Sequence, residues 1–309
     1  LLVLSNYFIS QAQEPDFIIK NNKKVKMKDN VVLKNKTIAI KDGKIIEIAE
    51  KIKGKAKEVV DAKGKFLMPS LSDAHAHFPV TEEEMQTTLK LNLINGVTKL
   101  RSMRGDWNHV LWRDKFNAID SYFPKLYLSP PPVSRGHDLS IVEIEYFVKA
   151  AKKHNLDFIK ILSIKNQSVF KRLDSICAKY EIPLAGHYPR LASGNELNET
   201  VILNSNYTSF EHLGGLAGEN NETIAKRIAL LKQNNITICP TLSWYSIGSG
   251  RYKYREKIGT MAYQEEVANE LKALDEKYKI IKQLNEAGVP MILSPDASSK
   301  YMIAGFSVL

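Results

Sequence analysis

The sequence is poor in cysteine and, beyond its first residues, has no long apolar run. Its 309 residues contain two cysteines, Cys177 and Cys239, which favours two buried thiols over a disulfide framework. No later stretch approaches the ~20 apolar residues of a membrane span, and no glycine-rich phosphate loop follows an early strand. These absences argue against a disulfide scaffold, a membrane span and a doubly wound nucleotide-binding fold.

The charge balance is basic, with a formal net charge of +10, but it carries no nucleic-acid signature. The lysines are spread along the whole chain, without a basic block interleaved with aromatics, a zinc-finger spacing or a helix-turn-helix pattern. A hydrophobic content of 44% and a charged content of 25% are ordinary for a globular protein. We therefore expect a solvated, lysine-rich surface and no nucleic-acid partner.

Residues 1–13 resemble the end of a secretory signal peptide. An apolar stretch is followed by Ser10-Gln11-Ala12, which fits a small-x-small cleavage site. The alternative is an N-terminal strand of the domain. A signal remnant predicts export to a periplasmic or extracellular location, and its absence would predict a cytoplasmic protein.

Two regions with different patterns follow. Residues 14–66 read as short strands and turns, with Asp42-Gly43 marking a hairpin, and predict a small β-sheet domain. From residue 67 onward, eight short apolar strands alternate with amphipathic helical segments, which is typical of an α/β fold of the TIM-type (β/α)8 barrel class. The predicted barrel strands are Met68–His77, Val97–Met103, Lys125–Ser129, Asp157–Ser163, Pro183–His187, Thr208–His212, Ile236–Thr241 and Pro290–Ser294. Predicted helices include Glu82–Leu93, Ser140–His154, Ser168–Tyr180, Glu222–Gln233 and Tyr263–Glu286.

The motif Asp73-Ala74-His75-Ala76-His77 ends the first barrel strand. Because strand side chains alternate between faces, His75 and His77 point to the same side. Two imidazoles that converge from one strand end can bind a divalent metal ion. Alone, such a pair more often marks ordinary polar residues where a strand meets a loop.

Further metal-capable residues fall on or after other barrel strands: Lys160 in the fourth, His187 after the fifth, His212 after the sixth and Asp296 after the eighth. Each has a structural alternative, namely a lysine reaching to solvent, a hydrogen-bonded histidine or a capping aspartate. In a β/α barrel, however, the carboxyl ends of all strands meet on one rim. Their joint placement therefore predicts one metal centre.

With this set the sequence resembles the amidohydrolase superfamily of metal-dependent hydrolases, in its imidazolonepropionase-like and metal-dependent dipeptidase branch. The resemblance extends from Asp16 to Leu309. Besides the six candidate ligands it includes Asp16-Phe17-Ile18-Ile19, Ile45-Ile46-Glu47-Ile48, Asp61-Ala62-Lys63-Gly64, Asn95-Gly96-Val97-Thr98 and Cys239-Pro240-Thr241-Leu242-Ser243.

The resemblance implies a role for each ligand. His75, His77 and Asp296 would bind one metal ion and His187 and His212 a second, bridged by Lys160 after its reaction with carbon dioxide to a carbamate. Nitrogen and oxygen ligands suit Zn²⁺ and also admit Mn²⁺, Fe²⁺ or Co²⁺. The implied reaction is hydrolysis of an amide-like C–N bond of a small peptide-like, dipeptide-like or cyclic amide substrate by a metal-bridging hydroxide, with Asp296 as the catalytic proton acceptor.

The sequence also departs from the family pattern. Ser70 and Ser294 stand where the family usually has glycine, and the family continues beyond Leu309. There it adds the last helix and the strands that complete a composite β-sandwich with the N-terminal segment. We therefore expect residues 67–309 to form a barrel truncated after its eighth strand.

Loop residues supply the candidates for substrate binding. They are Tyr188, Arg190, His137, Arg101 and Trp244; an arginine at the rim would suit a carboxylate. His109 and His154 are expected to face solvent. Two alternatives stay open, a mononuclear deaminase or cyclic-amide hydrolase of the same superfamily and a catalytically inactive barrel used as a binding module. A homo-oligomer is compatible with the sequence.

Overall fold

A computed structural model describes residues 14–26, 31–118, 122–134, 139–189, 191, 197–243, 245, 259–297, 305 and 307 of the chain, except the side chains of 262 and 263. The segment predicted to be a signal remnant lies outside these residues. The chain divides between Ser70 and Leu71 into two compact units. None of the helices in the described ranges combines the length and apolarity that a bilayer crossing requires.

The first unit is a five-stranded sheet. Its strands are β1 (Phe17–Val25), β2 (Val32–Lys41), β3 (Lys44–Ala49), β4 (Glu58–Asp61) and β5 (Phe66–Leu67). The order is β3-β2-β1-β4, with β5 also beside β1; β2 is antiparallel to β1 and β3, whereas β4 and β5 run parallel to β1. Asp42 and Gly43 form the turn between β2 and β3 with φ of 49° and 70°, the left-handed values that favour this dipeptide in a tight hairpin.

In the described residues of the second unit, seven strands form two sheets, and neighbouring strands within each sheet are parallel. They are β6 (Leu71–His77), β7 (Val97–Arg104), β8 (Lys125–Tyr127), β9 (Ile159–Ile161), β10 (Leu184–Gly186), β11 (Tyr207–Glu211) and β12 (Thr237–Cys239). One sheet has the order β6-β7-β8 and the other β12-β11-β10-β9. This mixed α/β architecture with parallel sheets is consistent with a TIM-type fold.

Helices connect and cover these strands. They are α1 (Glu82–Ile94), α2 (His109–Phe116), α3 (Ile141–Lys153), α4 (Gln167–Lys179), α5 (Glu199–Leu203), α6 (Asn221–Gln233) and α7 (Met261–Ala287). Helix α4 shows why they form, since it buries Val169, Phe170, Leu173, Ile176 and Cys177, the spacing of one apolar helical face. The core lies between these helix faces and the strands.

Most of the observed barrel strands are shorter than the sequence predicts, although β7 is one residue longer and β11 keeps its predicted length with a shift of one residue. The segment Asp157–Ser163 forms a strand only from Ile159 to Ile161, and the Asp157 carboxylate instead accepts a hydrogen bond from the Leu128 amide at 2.7 Å. The segment Pro290–Ser294 contributes a single bridge between Met291 and Ile238. Pro290 cannot donate a ladder hydrogen bond, which shortens the pairing here.

The structure also tests the predicted burial of the two cysteines and the predicted exposure of His109. Cys177 and Cys239 are free and buried, as predicted, and burial raises the pKa of both thiols. The expectation for His109 is wrong: it is 3% exposed and packs against Phe78 and Trp112 with ring centroids 5.5 and 5.1 Å away. The helical face of α2 that carries His109 is turned inward, which the isolated residue type does not reveal.

Candidate metal centre

His75 and His77 lie at the carboxyl end of β6, with their ring centroids 5.5 Å apart. The Asp296 Oδ1 atom is 3.2 Å from Nε2 of His77 and 3.9 Å from Nε2 of His75. Burial, together with the nearby Lys160 ammonium, lowers the pKa of His77 to about 4 and that of His75 well below its usual value. Both rings are therefore neutral near pH 7 and have a nitrogen lone pair to offer to a metal ion.

The Asp296 carboxylate lies between the two histidines of β6 and His212. Asp296 follows the eighth predicted strand with φ of 54°, a left-handed conformation that aspartate tolerates better than most residues. Its backbone amide donates to Ser294 Oγ at 3.2 Å. Its Oδ2 atom is 3.9 Å from Nε2 of His212, so one carboxylate faces three imidazoles.

His212 directly follows β11, and Thr241, beyond β12, fixes its orientation. Nδ1 of His212 is hydrogen-bonded to the buried Thr241 hydroxyl at 2.6 Å, which leaves Nε2 for the side that faces Asp296. Burial and then the charge of Lys160 lower the pKa of His212 to about 4. His187 follows β10, and its ring centroid lies 4.9 Å from that of His212.

Lys160 occupies the middle of β9 and is 1% exposed. Burial lowers the pKa of its amine to about 8, although the carboxylates of Glu211 and Asp296 partly oppose this effect. A fraction of neutral amine is therefore present near neutral pH, and the neutral form is the one that reacts with carbon dioxide.

All six predicted ligands line one cavity of about 720 Å³. Other residues on its wall include Met103, Arg104, Ser134, Tyr188, Glu211 and Tyr245. The predicted substrate contact Tyr188 is thus on the cavity wall. The predicted contacts His137, Arg190 and Trp244 lie outside the described residues.

Glu211 is a component of the site that the sequence interpretation missed. It is fully buried, and its carboxylate accepts from Nδ1–H of His75 at 2.8 Å, from Nη2 of Arg101 at 2.6 Å and from Ser209 Oγ at 3.0 Å. Burial alone would raise the pKa of Glu211, but Arg101 and His75 outweigh it and hold this pKa well below its usual range. An acidic residue inside the apolar strand Phe210-Glu211-His212 was the available signal.

Arg101 takes part in this buried network. Besides its bond to Glu211, it donates from Nε to the Ala74 carbonyl at 2.7 Å and from Nη1 to Ser209 Oγ at 2.8 Å. The sequence predicts Arg101 as a substrate contact, whereas in the structure its guanidinium connects β6, β7 and β11. The arginine on the cavity wall is Arg104, three residues further along β7.

The donor set fits a divalent metal ion. One ligand atom each from His75, His212 and Asp296 lies within 4.8 Å of the others. Glu211 and Thr241 engage Nδ1 of the two histidines, so that each Nε2 faces the same carboxylate. Such outer partners fix the tautomer and orientation of metal-binding histidines, and imidazole with carboxylate suits Zn²⁺ and its neighbours in the first transition row.

Sequence comparison finds partial matches to curated proteins, while no family model matches the chain. An allantoinase from Desulfitobacterium hafniense is 56% identical over 41 residues, 13% of this chain and 9% of that protein. A 5′-deoxyadenosine deaminase from Methanosarcina acetivorans is 48% identical over 67 residues, 21% and 16% respectively. An adenine deaminase from Desulforamulus reducens is 27% identical over 179 residues, 53% and 30%. The matches thus span less than a third of these relatives.

Solved structures match over most of the chain. A Xaa-Pro dipeptidase with bound methionine has a TM-score of 0.69 and 17% identity, covering 94% of this chain and 81% of that one. A putative prolidase from Bifidobacterium longum has a TM-score of 0.72 and 20% identity, covering 95% and 76%. The ochratoxinase of A. niger has a TM-score of 0.65 and 14% identity, covering 94% and 81%. At these identities the likeness is one of fold.

Proposed function

We propose that this chain, a member of the amidohydrolase superfamily, is a metal-dependent hydrolase that cleaves an amide-like C–N bond of a small peptide-like or cyclic amide substrate. The observation that carries the proposal is the convergence of four histidines, Asp296 and a buried lysine on one cavity of about 720 Å³. Such a cavity, with few convergent polar groups and perturbed pKa values, is the expected form of an enzyme site.

The proposal includes two divalent metal ions, with Zn²⁺ preferred. We assign His75, His77 and Asp296 to one ion, His187 and His212 to the other, and Lys160 as a carbamate to both. The burial of Lys160 and its lowered pKa support the carbamate. When bound, such ions act as Lewis acids that activate water and polarise the scissile carbonyl.

The proposed site belongs to a closed eight-stranded barrel. Two backbone hydrogen bonds support closure through the eighth segment. Ile292 donates to the Ile238 carbonyl at 2.9 Å on one side, and Ala74 donates to the Leu293 carbonyl at 3.2 Å on the other. Asp296 is thereby carried to the end of β6, where it faces His77.

Asp296 is placed to transfer the proton between the attacking water and the departing amine. The residue is 4% exposed, and it lines the cavity among the candidate ligand histidines. We assign it to accept a proton from the attacking water and to deliver it to the departing amine, which general acid–base catalysis by a carboxylate allows. Tyr188 and Tyr245 form part of the cavity wall around this carboxylate.

A second candidate is a mononuclear deaminase or cyclic-amide hydrolase. The sequence matches to two kinds of deaminase and to an allantoinase favour it. Metal content separates the candidates, because the bridging role of Lys160 requires two ions per chain and the mononuclear site requires one. Elemental analysis of the purified protein measures this number.

Substitution of Asp296 tests the proposed reaction. The purified protein is screened for hydrolysis of dipeptides, N-acyl amino acids and cyclic amides, and for deamination of adenine nucleosides, with added Zn²⁺ or Mn²⁺ and bicarbonate. Asp296→Asn is expected to reduce turnover by roughly 10²-fold or more, while metal content stays largely intact. Asp114→Asn, at an exposed carboxylate on α2, is the control. Near-normal turnover of Asp296→Asn would contradict the proton-transfer role.

A further inference from the structure

Arg104 is a cation on the cavity wall that forms no ion pair with an acidic side chain in the described part of the chain. It is the last residue of β7 and is paired in register with His77 of β6. Its side chain is exposed and lines the cavity that contains the candidate ligands. A positive charge is therefore held beside the metal centre.

The arginines of the described segments differ in whether a carboxylate pairs with them. Four of them have carboxylate partners: Arg101 with Glu211, Arg113 with Asp114, Arg172 with Glu145, and Arg227 with Glu199 and Glu219. Arg104 is the fifth, and within the described part of the chain it has no ion pair and its side chain has no hydrogen bond.

The acidic groups near Arg104 have other partners or lie apart from it. Of the described residues on the cavity wall, the carboxylates are Glu211, bound by Arg101 and His75, and Asp296, which faces the ligand histidines. Glu83 and Glu84 share a neighbouring cavity with Arg104, but neither forms an ion pair with it, and Glu84 accepts a hydrogen bond from Thr81. Among the residues that the structure describes, no carboxylate is thus placed to pair with Arg104, and its guanidinium is open to an anionic ligand.

We propose that Arg104 binds a carboxylate of the substrate, and that the substrate is accordingly an N-acyl amino acid or a dipeptide with a free carboxylate. The guanidinium group presents two parallel N–H donors that match a carboxylate. This inference rests on the proposed hydrolase function and narrows it, because it disfavours the neutral heterocycles among cyclic amides. Water cleaves R–CO–NH–R′ at the C–N bond, giving R–COO⁻ and R′–NH₃⁺, and Arg104 would hold the carboxylate of R′.

Paired substrates test the proposal. An N-acetyl amino acid and its carboxamide differ only in the charge that Arg104 would bind. For the wild-type protein we expect kcat/KM to favour the free acid by about 10- to 100-fold, the range of a charge-assisted hydrogen-bonding pair. Arg104→Met should remove this preference through KM of the acid and leave KM of the carboxamide unchanged. Arg104→Lys should retain part of the preference.

A binding measurement on metal-free protein separates Arg104 from the metal ions, which can themselves bind carboxylates. Calorimetric titration with the N-acetyl amino acid should show binding that Arg104→Met abolishes and that the carboxamide does not show. Lys90→Met, at an exposed lysine on α1, should behave as the wild type in both assays.

The possible outcomes distinguish the two proposals. Equal hydrolysis of acid and carboxamide by the wild type, or an equal loss of both in Arg104→Met with unchanged metal content, overturns the role of Arg104 and leaves the hydrolase function standing. Absence of hydrolysis of every amide by metal-loaded protein contradicts the hydrolase function itself.

Discussion

Replacement of Glu211 measures how strongly the buried network supports the metal centre. The carboxylate accepts from His75, Arg101 and Ser209 in a fully buried position. Glu211→Ala would leave the guanidinium of Arg101 without its counter-ion, and removal of one partner of a buried ion pair costs about 3–5 kcal/mol. This is a large part of the roughly 5–15 kcal/mol that stabilises a domain, so the milder variant Glu211→Gln is more informative.

Glu211→Gln keeps the shape of the side chain but supplies one acceptor oxygen where the structure uses two. Oε1 accepts from Arg101 and Ser209, whereas Oε2 accepts from His75. The amide NH₂ must therefore face a donor, at a cost of about 1–3 kcal/mol for the unsatisfied buried group. If the amide oxygen turns toward Arg101, the His75 ring loses its fixed tautomer, and metal affinity is expected to fall about 10- to 100-fold.

Two measurements on the same variant check this reasoning. Urea unfolding of the metal-free protein gives the loss of stability, and competition with a chelating dye gives the Zn²⁺ affinity. Glu145→Gln is the matched control, because Glu145 also accepts from several donors, Arg172, Lys179 and Tyr180, but at the solvent-accessible surface. Its Zn²⁺ affinity should equal that of the wild type. Unchanged Zn²⁺ affinity in Glu211→Gln would refute the positioning role of Glu211.

Two further predictions concern Lys160 and the cavity wall. Carbamate formation consumes the neutral amine, and burial lowers the pKa of Lys160 from 10.5 to about 8. The rate of carbamate formation can be followed by carbon-13 NMR in metal-free protein at fixed dissolved carbon dioxide. We expect this rate to rise with pH up to about 8 and then to level off. A rate that keeps rising toward pH 10 would indicate an ordinary exposed lysine. Gly215→Ala would place a Cβ 2.6 Å from the Tyr188 ring and should destabilise the protein by about 1–3 kcal/mol beyond the left-handed backbone penalty. Gly218→Ala is the control: at φ of 86°, with nothing within 4 Å of the added Cβ, it has the backbone penalty alone. Equal thermal unfolding temperatures of the two variants would show that the Tyr188 ring moves aside without cost.

The parallel strands and their order along the chain could be predicted because each is a short apolar run bounded by turn residues. Strand lengths could not, since side chains such as Asp157 replace ladder hydrogen bonds with their own. The small sheet was predictable where turn chemistry is explicit, as at Asp42-Gly43. The inward face of α2, with His109, depends on packing against Phe78, which belongs to another element.

The meeting of His75, His77, His187, His212 and Asp296 at one cavity could be predicted. Each stands on or just after a strand, and the carboxyl ends of barrel strands share one rim. The buried hydrogen-bond network of Glu211 and Arg101 next to these residues could not be predicted. Glu211 and Arg101 meet across β7 and β11, which are about a hundred residues apart in sequence and in different sheets. Only the fold brings the two side chains together, and nothing in the local sequence around either residue indicates the pair.

The charges around Lys160 explain why the proposed carbamate and the proposed metal ions depend on each other. In the metal-free protein the amine lies near Glu211 and Asp296, whose charges favour its cationic form. Conversion to a carbamate replaces that cation by an anion in a buried place that already holds two carboxylates, which is unfavourable unless cations are bound. Bound divalent ions would instead favour the carbamate over the ammonium. If the ions raise the affinity of Lys160 for carbon dioxide by some factor, carbon dioxide must raise the affinity for the ions by the same factor. The carbamate signal in the carbon-13 experiment should therefore strengthen as Zn²⁺ is added, and an unchanged signal would argue against a shared site.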